Sequence, residues 1–377
     1  MVNITILGWY GTETIGDRAI LAGLFRIFGE CFDSFSIKIG SLFPFLTDRT
    51  LLEDEPFYRS ISGNKMKDVS VFPCLSVGSL KHNINSSNYV FFGGGPITDI
   101  SYLYAIEYGF KYAKNKKKKT GLIGCGLGPF YKKEYHDCLF RLIKMSDVII
   151  LRDTVSNAFL PTKQSSINVV YSVDPAVFAA DYYSQKMVAD NSLKYTVFNF
   201  RDISVVNTAL TNDKYTDFFI NSIRNELDNG AESVLLVPMH TFSVGGDDRY
   251  YLNRISRFVN DSKVVVQNEP LSLAETMSKY QNAAFCYGMR FHSVLLQTIL
   301  NGRNCVFDYT NKKTGKTIGL LQGLGVFDTL EKYDRYMSLS DEKLRVLHPD
   351  RTFKVNISHE HVVRFMSKYV NAINSIK

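Results

Sequence analysis

The stretch Tyr287-Gly288-Met289-Arg290-Phe291-His292-Ser293-Val294-Leu295-Leu296 has the pattern of a buried strand that turns directly into a helix. The apolar run Ala283–Tyr287 predicts the strand, a glycine permits the turn, and an apolar helical run follows. Arg290 and His292 therefore lie where the strand ends and the helix begins. In open α/β sheets ligands bind at that edge, and the amides of a helix N-terminus favour an anion. The alternative is an arginine that caps the helix and a histidine that fills a packing gap.

Strand-like runs alternate with longer helical stretches along the whole chain, which is typical of parallel sheets covered by helices. The predicted strands are Asn3–Gly8, Ser34–Ile39, Asn88–Phe92, Thr120–Cys125, Asp147–Leu151, Val169–Val173, Tyr195–Phe200, Ser233–Met239, Lys263–Gln267, Ala283–Tyr287 and Asn304–Asp308. We expect an α/β protein with two doubly wound, Rossmann-like domains facing a cleft. The first would span residues 1–185 and the second residues 190–355, joined at the polar stretch Ala180–Lys194. Residues 356–377 predict a helix that packs back on the first domain.

The composition is that of a globular protein, and its moderately basic charge suits anionic small molecules or an anionic membrane surface. The chain has 377 residues, 45% of them hydrophobic, and a formal net charge of +7. This charge suits an anionic ligand, and the sequence has no nucleic-acid-binding signature, so we expect no nucleic-acid partner. Six scattered cysteines lack metal-ligand spacing. The N-terminus lacks the pattern of a signal peptide, and no apolar run approaches the roughly 18 residues that span a bilayer, so we expect a cytoplasmic protein.

A lysine-rich run, Lys114-Asn115-Lys116-Lys117-Lys118-Lys119, closes a predicted helix. The simplest interpretation is a solvated turn, because lysines at a helix C-terminus offset the helix dipole. The functional alternative is peripheral contact with anionic lipid headgroups at the inner face of the membrane.

Cationic residues follow several predicted strands of the second half. Arg201 follows the first of these strands, His240 the next, and Lys316, with Lys312 and Lys313, follows the strand Asn304–Asp308. Because parallel strands gather their carboxyl ends at one edge, we expect a cationic pocket that suits a ligand with both carboxylate and phosphate. A metal site formed by His240 with Asp247 and Asp248 is a weaker reading, and we expect no metal.

The first half carries a loop, Gly8–Asp17, and two glycine clusters where predicted strands end. The clusters are Gly93-Gly94-Gly95 and Gly124-Cys125-Gly126. Neither the Walker pattern nor the G-x-G-x-x-G dinucleotide fingerprint is present. The single Trp9 either stacks on a sugar face or belongs to the core. Several glycine-rich strand ends on one sheet edge predict a cleft with a wall of backbone.

Several of these motifs together resemble the polysaccharide pyruvyl transferases. The segment 12–21 resembles the family's Gly-Asn-x-Gly-Asp-Glu-Ala-Ile-Leu pattern, with its Asn and Glu replaced. Gly288–His292 resembles the family's Gly-Met-Arg-Leu-His motif, with Phe291 in place of Leu, and residues 316–325 resemble its Lys-Val-x-Gly-Leu-Leu and Leu-Gly ending. The middle motifs correspond to Phe91–Pro96, Gly124–Phe130, Arg152–Ser156 and Val173–Ala176.

This resemblance implies a fold similar to the GT-B glycosyltransferases and transfer of the pyruvyl group of phosphoenolpyruvate to a sugar diol. The product would be a pyruvate ketal on a precursor of a capsule or exopolysaccharide, free or lipid-linked, with no cofactor required. The donor would lie in the second domain and the acceptor in the first. The expected donor-binding residues are Arg201, His240, Arg290, Phe291, His292 and Lys316, and the expected acceptor-binding residues are Trp9, Tyr10, Asp17, Gly94 and Gly95.

For this chemistry we expect His292 to act as the general acid, since imidazoles titrate near neutral pH. Arg201 and Arg290 would hold the carboxylate and phosphate, and Lys316 would neutralise the leaving phosphate. Asp17 and His240 are both candidates for the base that takes the hydroxyl proton.

Two rival functions use the same architecture. A nucleotide-sugar glycosyltransferase needs a carboxylate for the ribose, for which Glu269 or Glu275 is available. A non-catalytic glycan-binding protein needs no charged donor pocket. The sequence leaves the acceptor sugar and the oligomeric state open.

Overall fold

The computed structural model describes residues 1–12, 14–161, 168–190, 192–204, 212–242, 244, 246–311, 315–340 and 344–377. Two compact units emerge: Met1–Glu13, Asp17–Ala179 and Ser358–Lys377 form the first, and Thr14–Gly16 and Ala180–Ile357 form the second. Lys312 and Lys313 lie outside the described residues.

The strands and helices of the first unit alternate, as its sequence pattern predicts. Its strands are β1 Val2–Leu7, β2 Phe35–Ser41, β3 Met66–Pro73, β4 Tyr89–Ile97, β5 Lys119–Leu127, β6 Val148–Leu151 and β7 Val169–Tyr171. The helices between these strands are α1 Ile15–Cys31, α2 Pro44–Ile61, α3 Val77–Asn85, α4 Leu103–Asn115 and α5 Lys133–Met145, with a 3₁₀ turn at Val155–Phe159. The next helix, α6 Ala176–Lys186, follows β7 and crosses the boundary between the units at Ala179 and Ala180.

The first sheet has the order β3-β2-β1-β4-β5-β6-β7, and all its pairings are parallel. The direction of winding reverses between β1 and β4, so the carboxyl ends of these two strands frame a crevice of the kind in which α/β proteins bind ligands. Central strands such as Tyr89–Ile97 are almost fully buried, which explains why they are uninterrupted apolar runs.

The glycine clusters of the first unit differ from the sequence expectation. They are not loops after the strands, because β4 continues through Gly93–Gly95 and pairs with β5 as far as Ile97 with Leu127. Gly94 and Gly95 have φ values of 74° and 75°. Only glycine adopts these values at low cost, so the cluster bends the strand while keeping it in the sheet.

The second unit has the same design. Its strands are β8 Tyr195–Phe198, β9 Ser233–Leu236, β10 Val264–Val266, β11 Phe285–Gly288, β12 Asn304–Asp308 and β13 Tyr336–Ser338. Its helices are α7 Asn212–Asp228, α8 Asp248–Val259, α9 Leu273–Gln281, α10 Phe291–Leu300, α11 Lys316–Gly323 and α12 Phe327–Lys332.

The second sheet has the order β10-β9-β8-β11-β12-β13, again entirely parallel, and its winding reverses between β8 and β11. Aromatic rings pack its core: Phe198 stacks on Tyr287 with 4.3 Å between ring centroids, and Phe307 stacks on Tyr287 at 5.6 Å. The α/β class with two doubly wound parallel sheets is confirmed. Strands β3 and β13, both at sheet edges, were missed by the sequence interpretation.

The last helix, α13 His359–Asn374, belongs to the first unit. The hydroxyl of its buried Tyr369 donates to the carbonyl of Val173 at 2.7 Å, and Lys368 Nζ donates to the carbonyl of Tyr171 at 2.9 Å. All six cysteine thiols are free and buried. Among the helices of the described residues, none combines the length and apolar character needed to cross a membrane.

Candidate functional site

Asn199 connects the ends of neighbouring strands at the switch point of the second sheet, where the winding reverses between β8 and β11. It follows β8 and is fully buried. Its Nδ2 donates to the carbonyl of Val237 at 2.9 Å, and its Oδ1 accepts from the amide of Arg290 at 3.0 Å. This side chain fixes the end of β8 to the chain after β9 and after β11. It therefore sets where Arg290 enters α10.

The guanidinium of Arg290 is held by a buried carboxylate. Nε of Arg290 donates to Asp248 Oδ2 at 2.9 Å, and Nη2 donates to Asp248 Oδ1. Both side chains are buried. Asp248 Oδ2 also accepts from the amides of Met239 and His240 at 3.0 and 3.1 Å. The edge of the Arg290 guanidinium formed by Nε and Nη2 is thus occupied. Of its nitrogens, only Nη1 lacks a hydrogen bond within the described chain.

Arg201 and Lys316 both lie against Tyr309, the residue that follows β12. Arg201 Nη1 donates to the Tyr309 hydroxyl at 3.3 Å, and its guanidinium carbon lies 5.3 Å from the ring centre. Lys316 Nζ lies 5.9 Å from the same ring centre. Within the described residues Arg201 Nε is buried without a hydrogen-bond partner. An anionic ligand would satisfy that donor.

The accumulated positive charge shifts the titration of two neutral neighbours. Burial raises the pKa of Tyr309, but the charges of Lys316, Arg201 and Arg290 outweigh it and lower the pKa to about 8. Burial, together with the charges of Arg290, Arg201 and Lys316, holds the pKa of His240 well below its ordinary value. His240 is therefore a neutral imidazole at neutral pH, and its buried Nδ1 has no partner among the described residues.

His292 packs against the start of α1. A Cβ added to Gly16 would lie 2.0 Å from His292 Nδ1, so only glycine leaves room for the imidazole. Thr14 forms an antiparallel bridge with His240, and the Ile15 amide donates to the carbonyl of Met239 at 3.1 Å. Residues 14–16 of the first loop thus belong to the second unit, next to both histidines.

Two helix N-termini add amide donors to this edge. α10 begins after Arg290 and α11 after Gly315, and neither N-terminus has a side-chain cap. Uncapped amides carry partial positive charge that favours anions. The buried hydroxyl of Thr317, in the first turn of α11, has no hydrogen-bond partner within the described residues. Phe291 is buried, and its ring meets that of His292 edge to face. Its expected role in donor binding stays a prediction.

The residues expected on the acceptor side lie in the first unit, where most have packing partners. The Tyr10 hydroxyl donates to the carbonyl of Gly93 at 2.9 Å and is buried, and a Cβ on Gly94 would meet Ile20. Trp9 is partly buried, and its Nε1 donates to the carbonyl of Pro96 at 2.8 Å. A Cβ on Gly95 would touch the indole ring.

Asp17, the remaining acceptor-side candidate, lies near the start of α1, where its Oδ2 accepts from the Thr12 hydroxyl at 3.2 Å. Trp9 and Asp17 keep partly exposed side chains, whereas Tyr10 and Gly94 are enclosed. The acceptor-binding role of these residues stays a prediction.

Two motifs of the first unit prove to be buried ion pairs. Arg152 Nη1 donates to Asp174 Oδ2 at 2.8 Å, which joins the motif after β6 to the one before α6. Arg18, which replaces the Glu of the family pattern, donates from Nε and Nη2 to Asp54 at 2.6 and 2.7 Å. The first pair lies at strand ends, whereas the second joins α1 to α2.

Three of the carboxylates proposed for rival sites, Asp247, Asp248 and Glu275, already have partners. Asp247 caps α8 and pairs with Arg249 at 2.7 Å, and Asp248 is bound to Arg290, so neither is left to join His240 as a metal ligand. Within the described residues no group of three histidine, cysteine or acidic side chains could hold a metal ion. Glu275, a candidate for a ribose, instead completes a capping box with Ser272.

Comparison with solved structures shows the same fold at low identity. The chain is similar to the UDP-GlcNAc 2-epimerase of Methanocaldococcus jannaschii, with a TM-score of 0.55, 12% identity, and coverage of 97% of this chain and 99% of that chain. It is also similar to MnaA of S. aureus, with a TM-score of 0.55, 12% identity, and coverage of 99% and 98%. For the α,α-trehalose 6-phosphate synthase of Burkholderia multivorans the values are 0.52, 10%, and 100% and 96%. These likenesses confirm the GT-B-like fold class.

Comparison of the sequence with protein-family models identifies the family. A search of curated proteins finds no match to this chain. The model of the family described as polysaccharide pyruvyl transferase matches residues 15–311, which include the first helix, both switch points and the site residues Arg201, His240, Arg290 and His292. The chain therefore belongs to the polysaccharide pyruvyl transferase family.

Proposed function

We propose that this chain transfers the pyruvyl group of phosphoenolpyruvate to two hydroxyls of one sugar in a cell-surface polysaccharide precursor. The products are a cyclic pyruvate ketal and phosphate. The reaction needs no additional cofactor, and it takes place in the cytoplasm, where phosphoenolpyruvate is available, on a free or a lipid-linked acceptor.

The observation that carries the proposal is the unbalanced charge at the second switch point. Among the described residues, Arg290 forms an ion pair with the carboxylate of Asp248, whereas no such pair is seen for Arg201 or Lys316. The positive charges of all three act on Tyr309. Arg201 Nε and the Thr317 hydroxyl still lack partners in the described structure. A small ligand with both a phosphate and a carboxylate supplies the missing acceptors.

The contacts suggest which residues bind the phosphate of the donor and which bind its carboxylate. Arg201, Lys316 and the N-terminus of α11 would hold the phosphate. The free Nη1 of Arg290, the neutral His240 and the N-terminus of α10 would hold the carboxylate. This arrangement fixes the enol carbon beside α10 and stabilises charge that develops in the transition state.

Our mechanism begins when His292 donates a proton to the methylene carbon of the donor. The adjacent carbon gains oxocarbenium character and bonds to the first sugar hydroxyl, whose proton passes to a base. The carbon–oxygen bond to phosphate then breaks, and the second hydroxyl closes the ring. Overall, two hydroxyl protons are lost, one to the new methyl group and one to phosphate.

The acceptor would bind in the first unit, where Trp9 and Asp17 are partly exposed. A partly exposed indole is a common platform for a sugar face. Asp17 is our candidate for the first base, since the lowered pKa of His240 makes it a weak one.

The test is incubation of the purified chain with isotope-labelled phosphoenolpyruvate and candidate saccharides. The proposal predicts release of phosphate and transfer of label to the glycan in equal amounts. A parallel thermal-unfolding series compares phosphoenolpyruvate with uridine and guanosine diphosphate sugars. Stabilisation by a nucleotide sugar alone would contradict the proposal and favour a glycosyltransferase.

A further inference from the structure

We propose that Tyr309 is a catalytic residue in the second half of the reaction, protonating the departing phosphate and then taking the proton of the second sugar hydroxyl. This inference rests on the proposed function. It concerns a residue that neither the motifs nor the composition of the chain singles out.

Tyr309 lies beside both of the cations that we place on the phosphate. Its hydroxyl accepts a hydrogen bond from Arg201 at 3.3 Å, and its ring centre lies 5.3 Å from the guanidinium carbon and 5.9 Å from Lys316 Nζ. The preceding residue, Asp308, is buried, and its Oδ1 accepts from the amide and hydroxyl of Thr310 at 2.8 and 2.6 Å. The phenol is therefore presented from a fixed turn.

The surrounding charges suit this role. Among the described residues, the charged groups that act on the phenol are Lys316 on α11, Arg201 after β8 and Arg290 at the start of α10. Without ligand they lower the pKa of Tyr309 to about 8. A bound phosphate offsets this positive charge and keeps the phenol protonated, so the acid form is present when the donor is bound. A proton donor with a pKa near the working pH is the most effective.

The step balances without any other reactant. The bond between the ketal carbon and the phosphate oxygen breaks, and its electron pair stays on that oxygen. The oxygen takes the phenolic proton, which leaves a phenolate stabilised by Arg201 and Lys316. The second sugar hydroxyl bonds to the carbon and loses its proton to the phenolate, which restores Tyr309.

The alternative is that the hydroxyl only positions Arg201. Tyr309→Phe separates the two roles, because it keeps the ring against both cations and removes only the hydroxyl. A matched control is Tyr215→Phe, which removes a buried hydroxyl bonded to the carbonyl of Leu339 in the same unit. Our inference predicts a fall in kcat of about 10²- to 10⁴-fold for Tyr309→Phe, with little change in KM for phosphoenolpyruvate. The control should keep wild-type turnover.

Rapid quenching of a single turnover with labelled donor gives a second readout. Tyr309→Phe should accumulate the open adduct that still carries phosphate, whereas the wild type should not. The basic limb of the kcat profile should also be lost in the variant. Unchanged kcat, or a rise in KM alone with an unaltered pH profile, would overturn the catalytic role and leave Tyr309 a positioning residue.

A measurement on the wild type covers the case in which the variant does not fold. Calorimetry near pH 8, in buffers of different ionisation enthalpy, should show proton uptake when phosphoenolpyruvate binds, together with loss of tyrosinate absorbance. Binding without either change overturns this inference alone. Absence of binding by the wild type means that the proposed function itself has failed.

Discussion

The imidazole of His292 occupies the space that a side chain at position 16 would need. A Cβ on Gly16 would lie 2.0 Å from Nδ1 and 2.5 Å from Cγ of that ring. Gly16 is the second residue of α1, whereas His292 is the second residue of α10. This contact places residues 14–16 of the first loop beside the Arg-x-His element within the second unit.

The first prediction tests this contact. Gly16→Ala should displace His292 and lower turnover at least tenfold while phosphoenolpyruvate still binds, because the donor cations are not touched. Steady-state kinetics and calorimetry on the same preparation measure the two effects. Gly323→Ala is the matched control, since a Cβ at that helical position meets nothing within 4 Å. Equal turnover of the two variants would show that the packing of His292 does not matter.

The second prediction concerns the acid itself. His292→Ala should nearly abolish turnover and leave the affinity for phosphoenolpyruvate mostly intact, whereas Arg290→Ala should weaken binding as well. Kinetics with labelled donor and calorimetric titration separate these outcomes. Near wild-type turnover of His292→Ala would remove this residue from the mechanism.

The third prediction concerns the buried pair of Arg290 and Asp248. Asp248→Asn leaves a buried arginine without its counter-charge and should lower the free energy of unfolding by about 3–5 kcal/mol. The neighbouring Asp247→Asn keeps an oxygen to cap α8 and loses only a partly exposed pair, so it should cost less than about 1 kcal/mol. Chemical denaturation compares the two variants. A similar loss of unfolding free energy in both variants would contradict a larger contribution from the buried pair.

The fourth prediction follows from the lowered pKa of His240. Below its ordinary pKa of about 6.5 the unfolded chain binds a proton at this residue and the folded chain does not, so the free energy of unfolding falls as pH falls. His240→Gln removes this contribution. Its stability relative to wild type should therefore improve as the pH is lowered from about 7 to about 5, across the ordinary pKa of histidine. Denaturant titrations at each pH measure this difference. A pH-independent difference would show that the pKa of His240 is the same in the folded and the unfolded protein.

The fifth prediction uses Tyr309 in the opposite pH range. Its pKa is lowered to about 8 in the folded chain, against about 10 when unfolded. Between these values the folded chain has lost a proton that the unfolded chain keeps, so stability rises with pH there and the gain is lost as pH falls through 8. Relative to Tyr309→Phe, the wild type should become more stable across this interval. A constant difference would contradict the charge coupling.

The sequence predicts the buried parts of the fold better than its edges. Interior strands such as Tyr89–Ile97 have helices on both faces and stand out as apolar runs. In contrast, β3 alternates buried and exposed residues at a sheet edge, and β13 has only three residues. Neither of these two strands contains a run long enough to be recognised.

Some residues of the candidate site could also be predicted from the sequence, whereas others could not. Arg201, Arg290, His240 and Lys316 could be placed because each follows a strand, and parallel strands share one edge. Asn199, Asp248 and Tyr309 were missed, since their roles depend on contacts between distant segments. Tyr309 also follows a strand, so the same rule could have found it. The sequence offered Asp248 only as a possible metal ligand, and its contact with Arg290 shows that it holds the guanidinium instead.

Calorimetric titration of phosphoenolpyruvate into the wild type and into Arg201→Met tests the central claim most directly. We predict saturable binding by the wild type and affinity about 10- to 150-fold weaker in the variant, the loss expected when about 1.5–3 kcal/mol of charge-assisted hydrogen bonding is removed. Absence of binding by the wild type, or equal affinity in the two proteins, would contradict a donor site at Arg201.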